Sequence, residues 1–384
     1  MHLPFAAGTL GVALFATTVT AQTPPASAVD WDALTTSVVT RNLRLAPGER
    51  VLLFWDQGSD RGAAAAFRRA VAAAGGVISA ELSAPTEAEA AAIGRLAPAV
   101  QALQRARRDS AWTAAFAGAD VAIWLPTPTS TLADRPFEWL VEKSRVRSIH
   151  FHWFLPPDGS DVALVDSLYV AAMAVPPAEL EARMAAIDRA IRGKTVRITA
   201  PNGTNLSFRI PADAWVHRNT GDVSLAKVAS ARTIRDREEE LPASVYRTTA
   251  LTDVEGRAVG YASFDTRGPI LDATFAGNRV SRLVSARGGE ALVASWQSRS
   301  GDKAVPSEFV IGTNPALPAV LPSGFMPYYG YGAGIVRVSF GDNWESGGKN
   351  RVPGHLETLL FIPQATVVAD GVVIVRNGEF VAGR

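Results

Sequence analysis

The sequence predicts an α/β domain with a mostly parallel sheet, followed by a β-rich α+β domain. Its 384 residues are enough for two domains. Between residues 31 and 193, apolar runs typical of buried strands alternate with helical patterns, which is the rhythm of βαβ units. From residue 194 to residue 384, short strand patterns follow one another across Asn-Gly, Asp-Gly and Gly-Gly turns. This change of pattern predicts a domain boundary near residue 193.

In the first domain, four strands are predicted from apolar runs that turn or cap residues bound. They span residues 51–55, 77–82, 121–126 and 148–154. The helix after the first strand is rich in alanine and ends at two glycines, which suit a helix C-terminus. A long helix over residues 176–192 connects the domains. The turns after the strands carry no glycine-rich phosphate-binding pattern, so nothing indicates a nucleotide.

In the second domain, the strand patterns are shorter and more numerous. They span residues 196–199, 205–210, 258–264, 335–340 and 372–375. One helix interrupts them, over residues 288–299. This texture predicts an antiparallel, β-rich architecture.

Composition describes an ordinary globular protein. A hydrophobic content of 47% and a net charge of +1 argue against disorder and against a nucleic-acid partner. The chain has no cysteine, which excludes disulfides and thiolate metal ligands. Any bound metal must therefore be held by His, Asp, Glu or water.

The first 21 residues predict a secretory signal peptide. A short apolar run precedes small residues that are typical of a cleavage site. A membrane anchor is the alternative, but the run is too brief to cross a bilayer. Residues 22–30 are then a spacer, and no later segment has 18 uninterrupted apolar residues. We therefore expect a secreted or periplasmic protein without a membrane segment after signal cleavage.

Three residues of the second domain are candidates for a metal site. His355 and Glu357 lie two residues apart at the start of a predicted strand, so both side chains should point to one face. Glu308 is a possible third ligand. An imidazole and two carboxylates suit a divalent ion such as zinc, manganese or cobalt. The alternative is a carboxylate–imidazole pair on an exposed strand face.

Other polar residues favour simpler interpretations. His150 and His152 share a predicted strand face and could bind zinc, but aromatic packing at a strand end is favoured. His217 lies in a turn-rich segment, which favours a surface position. Glu238, Glu239 and Glu240 are interpreted as an exposed charge run.

Several motifs follow one another in a specific order along the chain. They are Leu43-Arg-Leu-Ala-Pro-Gly-Glu-Arg-Val-Leu-Leu53, Leu241-Pro-Ala-Ser-Val-Tyr246, Ser307-Glu308-Phe-Val-Ile-Gly312-Thr-Asn314, Gly334 to Asn343, Gly347-Gly348-Lys-Asn350 and His355-Leu-Glu357. This order resembles that of the thermophilic aminopeptidases of the aminopeptidase T and aminopeptidase S type. The resemblance spans roughly residues 35 to 380. It implies an exopeptidase, usually dimeric, with a two-metal site in the second domain and a first domain that helps to close the site.

The resemblance carries over to only part of that site. The family's second Glu is Glu308, its late histidine is His355, and its Asp partner has become Glu357. The family's first Glu, strand histidine and tyrosine have become Ser244, Arg337 and Trp344, in that order. Serine is a poor metal ligand, and arginine is a permanent cation. By the same resemblance, Glu308 would act as metal ligand or general base.

These substitutions favour one metal over two, with a metal-free site as an open alternative. Arg337 could pair with Glu308 or Glu357 in place of a metal. The residues 238–240 could supply a substitute carboxylate. Ring-opening dihydroxypyridine dioxygenases are similar to this family, but they keep a histidine where this chain has Arg337, which disfavours an iron enzyme.

The function predicted from the sequence is a secreted metallo-aminopeptidase-like hydrolase that releases N-terminal residues from peptides at a degenerate site. The cofactor would be zinc, cobalt or manganese, or none. The alternative is a catalytically inactive periplasmic protein that binds a peptide or small molecule, with Arg337 pairing an anion. By the resemblance, the partner is a second copy of the chain.

Overall fold

The computed structural model describes most of the chain after residue 28. The described residues are 29–55, 61–83, 92, 95–126, 140–249, 251–353 and 357–382. The predicted signal peptide 1–21, most of the spacer 22–30 and His355 lie outside the described residues. What the sequence indicates about them stays a prediction.

The predicted strands are present in the predicted order, and further strands that the sequence did not predict lie between them. The strands are β1 (Arg50–Trp55), β2 (Val77–Ser83), β3 (Val121–Leu125), β4 (Arg147–Phe151), β5 (Thr195–Thr199), β6 (Asn205–Arg209), β7 (Val216–Asn219), β8 (Glu238–Leu241), β9 (Val245–Thr248), β10 (Thr252–Tyr261), β11 (Ile270–Ala276), β12 (Arg279–Arg287), β13 (Pro306–Gly312), β14 (Val336–Gly341), β15 (Glu357–Ile362), β16 (Thr366–Ala369), β17 (Val372–Arg376) and β18 (Glu379–Phe380). The helices are α1 (Trp31–Ser37, continued by the π-helical Val38–Leu43), α2 (Arg61–Ala73), α3 (Pro98–Ala117), α4 (Val162–Ala174), α5 (Pro177–Ile191), α6 (Leu225–Val228), α7 (Glu290–Ser298) and α8 (Pro327–Gly330).

The first sheet is parallel. Within the described residues it contains five strands in the order β2-β1-β3-β4-β8. The central strands β1 and β3 are apolar runs that are buried almost throughout, as expected when helices cover both faces of a sheet. This confirms the predicted α/β domain. The strand β8 comes from beyond the predicted boundary at residue 193, which itself stays a prediction.

The second sheet is antiparallel and much larger. Over the described ranges it has 13 strands, 11 of them in the order β18-β17-β16-β5-β6-β10-β15-β14-β13-β9-β7. The other two, β11 and β12, extend from β10 as a hairpin. This confirms the predicted β-rich architecture. The strands β13, β14 and β15 lie side by side and carry the residues predicted for the site.

The helix α5 packs into a core that both sheets share. Its buried apolar residues recur every three or four positions, which places them on one helix face. They are Leu180, Met184, Ile187 and Ile191. The same core contains Leu53 of β1 and Val336 of β14, so the two sheets are joined by continuous apolar packing.

Within the part of the chain that the structure describes, no single helix is long and apolar enough to cross a membrane. The helices α4 and α5 reach that length and hydropathy only together, and they are bent by 86°.

Candidate functional site

One row of residues across the antiparallel sheet brings three charged side chains together. Val310 in β13 lies opposite Arg337 of β14 on one side and opposite Arg247 of β9 on the other. Residues directly opposite one another in antiparallel strands point to the same face. Glu308 lies two residues before Val310 and shares that face. The sheet therefore places one carboxylate between two guanidinium groups.

Glu308 is almost completely enclosed by its partners. Its side chain is 7% exposed, and its Oε2 atom contacts Nη2 of Arg337 and lies 3.3 Å from Nε of Arg247. Its Oε1 atom accepts a hydrogen bond from the hydroxyl of Ser346. The hydroxyl of Tyr331 accepts from Nη1 of Arg337 at 2.8 Å and from Nη2 of Arg247 at 3.4 Å. Both carboxylate oxygens of Glu308 therefore have partners: Oε2 contacts the two guanidiniums and Oε1 the hydroxyl of Ser346.

Glu357 has a different environment at the start of β15. Its Oε1 atom accepts hydrogen bonds from the hydroxyls of Ser339 at 2.6 Å and Ser307 at 2.9 Å. Nη2 of Arg337 lies 4.0 Å from the same oxygen, at the limit of an ion pair. The Glu357 side chain is 29% exposed. Its predicted partner His355 lies outside the described residues, so the predicted metal site stays a prediction.

The three glutamates of β8 are buried, so their interpretation as an exposed charge run is wrong. Glu238 and Glu240 point to one face of the strand and Glu239 to the other. Each has a buried cation or imidazole beside it, which is the condition for burying a carboxylate. These partners come from β4, β7, β9 and the segment before β8, and a local pattern in the sequence does not reveal them.

An alternating chain of acidic and basic groups runs from the second sheet into the first. Oε2 of Glu240 lies 3.1 Å from Nη2 of Arg247, and Oε1 lies 3.4 Å from Nη1 of Arg235. Arg235 also contacts Glu238, whose Oε2 atom lies 2.8 Å from Nε2 of His150 in β4. Through these contacts, the cluster of Glu308, Arg337 and Arg247 (the Glu308 cluster) is linked to the parallel strands β4 and β8.

Arg235 has a further acidic partner, Glu345, with 2.6 Å between Oε2 of Glu345 and Nη2 of Arg235. Because of this contact, the turn that follows β14 is tied to the same arginine that pairs with the β8 glutamates. Arg235 thus joins three carboxylates from two segments of the chain.

Glu240, Glu238 and Arg337 are buried, yet the charges around them and their own pKa values keep all three ionised at neutral pH. Burial by itself raises the pKa of Glu240, but the guanidiniums of Arg247 and Arg235 lower it below its usual value. Burial also raises the pKa of Glu238, but His150 and Arg235 bring it down to about 2. Burial lowers the pKa of Arg337 to about 10. At neutral pH these three groups therefore carry their charges.

His152 behaves differently, because burial without a direct opposite charge keeps it neutral. Burial lowers the pKa of His152 to about 3, and the carboxylate of Glu240 limits the fall. Its ring stacks on Phe154, with 5.0 Å between centroids, and lies 5.2 Å from the ring of Tyr329. Its Nδ1 atom has no hydrogen-bond partner among the described residues. The predicted aromatic packing at this strand end is confirmed.

His150 also packs against an aromatic residue, the ring of Trp124, at a centroid distance of 4.6 Å. Its contact with Glu238, with 2.8 Å between Nε2 and Oε2, is a further role that the sequence did not reveal. The contact depends on the parallel pairing of β4 with β8, which aligns Ser148 with Glu238 and His150 with Glu240, and no local pattern in the sequence reveals that pairing.

His217 is buried, so its predicted surface position is wrong. Its Nε2 atom lies 3.4 Å from Oε1 of Glu239, and its ring stacks on Trp215 at 6.0 Å. The backbone N–H of Gly221 donates to Oε2 of the same glutamate at 2.8 Å. The face of β8 opposite Glu238 and Glu240 thus has its own carboxylate–imidazole pair, Glu239 and His217. This pair is separate from the contacts of Glu308.

Two of the substituted positions lie in the core. The hydroxyl of Ser244 is hydrogen-bonded to the hydroxyl of Thr313, and neither side chain is exposed. The ring of Trp344 is nearly buried and lies 4.1 Å below the guanidinium of Arg351. Both residues therefore have packing roles in this chain.

The residues present do not fit the two-metal centre that the resemblance implies. The resemblance aligns Arg337 with a histidine ligand of that centre, and the guanidinium of Arg337 lies between Glu308 and Glu357. A guanidinium cannot coordinate a metal and repels one. Among the described residues, no group of three or more His, Asp or Glu side chains has a metal-binding arrangement.

Comparison with known proteins shows the fold. No protein-family model matches the sequence, and no curated protein matches it either. The structure is similar to that of 2,5-dihydroxypyridine dioxygenase from Pseudomonas putida, with a TM-score of 0.62 and 14% identity over 92% of this chain and 97% of that chain. It is equally similar to wild-type AmpT from Thermus thermophilus, an aminopeptidase T, with a TM-score of 0.62 and 12% identity over 91% and 98% of the two chains. The chain therefore has a two-domain, aminopeptidase T-like fold.

Proposed function

We propose that the protein is a non-hydrolytic member of this fold that binds a small carboxylate-bearing molecule or short peptide. The observation that carries the proposal is the engagement of Glu308 by two guanidiniums and a hydroxyl. A general base must accept a proton from water or substrate. Both oxygens of Glu308 already accept contacts from protein groups, so the carboxylate could take up that proton only by giving up contacts with its partners.

The same guanidiniums offer hydrogen-bond donors to a ligand. Nη1 of Arg247 and Nε of Arg337 are buried and have no hydrogen-bond partner within the described ranges. A buried donor without a partner costs about 1–3 kcal/mol. An oxygen of a ligand that accepts from these atoms would recover part of that free energy. Arginine is the residue type best suited to planar carboxylates.

The position of the cluster supports a ligand site. Open α/β sheets bind ligands in the crevice outside the carboxyl ends of their strands. Glu240 is near the carboxyl end of β8, and His152 directly follows β4. The ion pair between Glu240 and Arg247 connects this edge to the antiparallel sheet. Residues of both domains would thus contact one ligand, in keeping with a first domain that helps to close the site.

The proposal predicts that carboxylate ligands stabilise the wild-type protein and that this effect depends on Arg337. Thermal unfolding is measured with a panel of dipeptides, free amino acids and simple carboxylates. We expect at least one of them to raise the Tm of the wild type. The variant Arg337→Lys keeps the positive charge but loses the planar donor set, so we expect a much smaller shift.

The matched control is Arg197→Lys, which changes an exposed arginine of β5 that donates to Asn205. It should respond to ligands as the wild type does. A panel without any stabilising ligand, or an Arg337→Lys variant with an unchanged shift, would contradict the proposal.

A second candidate is an aminopeptidase with one metal at Glu357 and His355, and one observation favours it. Glu357 is partly exposed, and its nearest described cation is 4.0 Å away, so it retains capacity for a further positive charge. The chemistry that a divalent ion would supply there is activation of water and of a peptide carbonyl. The similarity to AmpT is compatible with this activity but shows only the fold.

Elemental analysis and a peptidase assay separate the two candidates. The mature protein is dialysed against zinc, cobalt or manganese and then tested on aminoacyl substrates. Our first proposal predicts neither retained metal nor metal-stimulated release of amino acids. Retained metal and activity that are both lost in His355→Gln would instead establish the second candidate.

We also propose, from the sequence alone, that the chain is secreted or periplasmic after cleavage near residue 21 and that it forms a homodimer. The apolar run and small-residue site of residues 1–21 support the first point. The resemblance to dimeric aminopeptidases supports the second.

A further inference from the structure

We infer that the guanidiniums of Arg337 and Arg247 occupy the place of a pair of bridged metal ions, with Glu308 as the bridging carboxylate. The order of groups is Glu357, Arg337, Glu308, Arg247 and Glu240. Each cation has the shared carboxylate on one side and its own outer carboxylate on the other. This inference rests on the contacts of Glu308 and holds whichever ligand the protein binds.

The contacts of one oxygen atom define the bridge. Oε2 of Glu308 meets both Nη2 of Arg337 and Nε of Arg247. The two arginines reach it from the strands that flank β13, because both lie opposite Val310. Two-metal sites likewise hold two cations a few ångströms apart between carboxylates. The sheet register therefore produces the same alternation of charge with organic cations.

Exchanging metal ions for guanidiniums changes the charge that the carboxylates must balance. Two divalent ions carry four positive charges, whereas two guanidiniums carry two. The carboxylates of Glu357, Glu308 and Glu240 therefore exceed the charge of Arg337 and Arg247 by one. A third guanidinium, that of Arg235, lies 3.4 Å from Glu240 and offsets this excess. The charges present are thus consistent with the exchange.

The length of the arginine side chain suggests how the exchange can be reversed. The guanidinium of Arg337 reaches between Glu308 and Glu357. An imidazole at position 337 is shorter and leaves space between the two carboxylates. Two carboxylates and one imidazole are ligands that zinc, manganese and cobalt accept. We therefore expect Arg337→His to bind a divalent cation that the wild type does not bind.

The test compares Arg337→His with Arg337→Gln in the full mature chain. Metal content is measured after dialysis against zinc or manganese, and Tm is measured as a function of metal concentration. Arg337→His should retain about one ion per chain and gain a metal-dependent rise in Tm, because the ion binds only the folded state. Arg337→Gln and the wild type should do neither. An Arg337→His variant without metal, or a wild type that binds as much, overturns the inference.

A second pair of variants decides the matter if the histidine variant folds poorly. Arg337→Lys keeps a cation and should fold without metal. Arg337→Ala leaves room for a soluble cation, so millimolar methylguanidinium or zinc should raise its Tm, or its refolding yield from urea. The wild type should not respond to either. If neither methylguanidinium nor zinc raises the Tm or the refolding yield of Arg337→Ala, the inference is also overturned, whatever the ligand panel shows.

Discussion

Glu308 and Glu357 are predicted as ligands of one metal, yet the structure gives them opposite environments. Glu308 is buried between two guanidiniums, whereas Glu357 is partly exposed and accepts from two serine hydroxyls. The strand β14 lies between β13 and β15 and makes the difference. Its Arg337 faces Glu308, and its Ser339, two residues later on the same face, faces Glu357. What a carboxylate can do is thus set by the residue that faces it.

The largest decrease in the free energy of unfolding is expected when the charge of Glu308 is removed. Glu308→Gln keeps the size of the side chain but removes the charge that two buried guanidiniums share. Breaking a buried ion pair by neutralising one partner typically costs about 3–5 kcal/mol. Glu357→Gln should cost only about 0–1 kcal/mol, because its ion pair is long and partly exposed and its serine hydrogen bonds can persist. The measurement is the free energy of unfolding in urea at neutral pH.

A control for both variants is Glu290→Gln, which removes a carboxylate from the exposed first turn of α7. Its loss of stability should be no larger than that of Glu357→Gln. Equal costs for Glu308→Gln and Glu357→Gln would show that the arginines do not depend on Glu308, and the contrast between the two regions would fail.

The fold was predictable because its signals are local. Apolar runs alternate with helical patterns in the first domain, and short strands follow turns in the second. The strand β8 was not predictable, since Glu238-Glu239-Glu240 has no apolar pattern and is buried only because distant cations reach it. His217 was placed wrongly for the same reason, because its partner Glu239 lies on a strand of the other sheet.

The site was predictable where strand alternation and motif order act together. Arg337 lies in an alternating apolar strand, so its inward direction and its pairing with Glu308 could be anticipated. Arg247 was missed because the four-residue strand Val245–Thr248 gives no pattern that orients its side chains. Its role depends on the register between β9 and β13, and that register is set by tertiary packing.

The last prediction extends the contrast to a buried group that stays neutral. His152 is as buried as Glu308, but it has no direct ion pair, and burial lowers its pKa from 6.5 to about 3. Between these values the unfolded chain binds a proton that the folded chain does not, so stability falls as the pH falls below 6.5. The slope is at most about 1.4 kcal/mol per pH unit. Glu238, with a pKa of about 2 against 4.5, adds its own loss only below 4.5.

Between pH 4.5 and 6.5, above the range in which Glu238 contributes, His152→Phe should flatten the dependence of stability on pH while keeping an aromatic ring. Phe154→Leu, which alters the ring stack but keeps the imidazole, should leave the slope in place. Urea unfolding at a series of pH values measures both, and an unchanged slope in His152→Phe would mean that His152 gains its proton in the folded state as readily as in the unfolded chain.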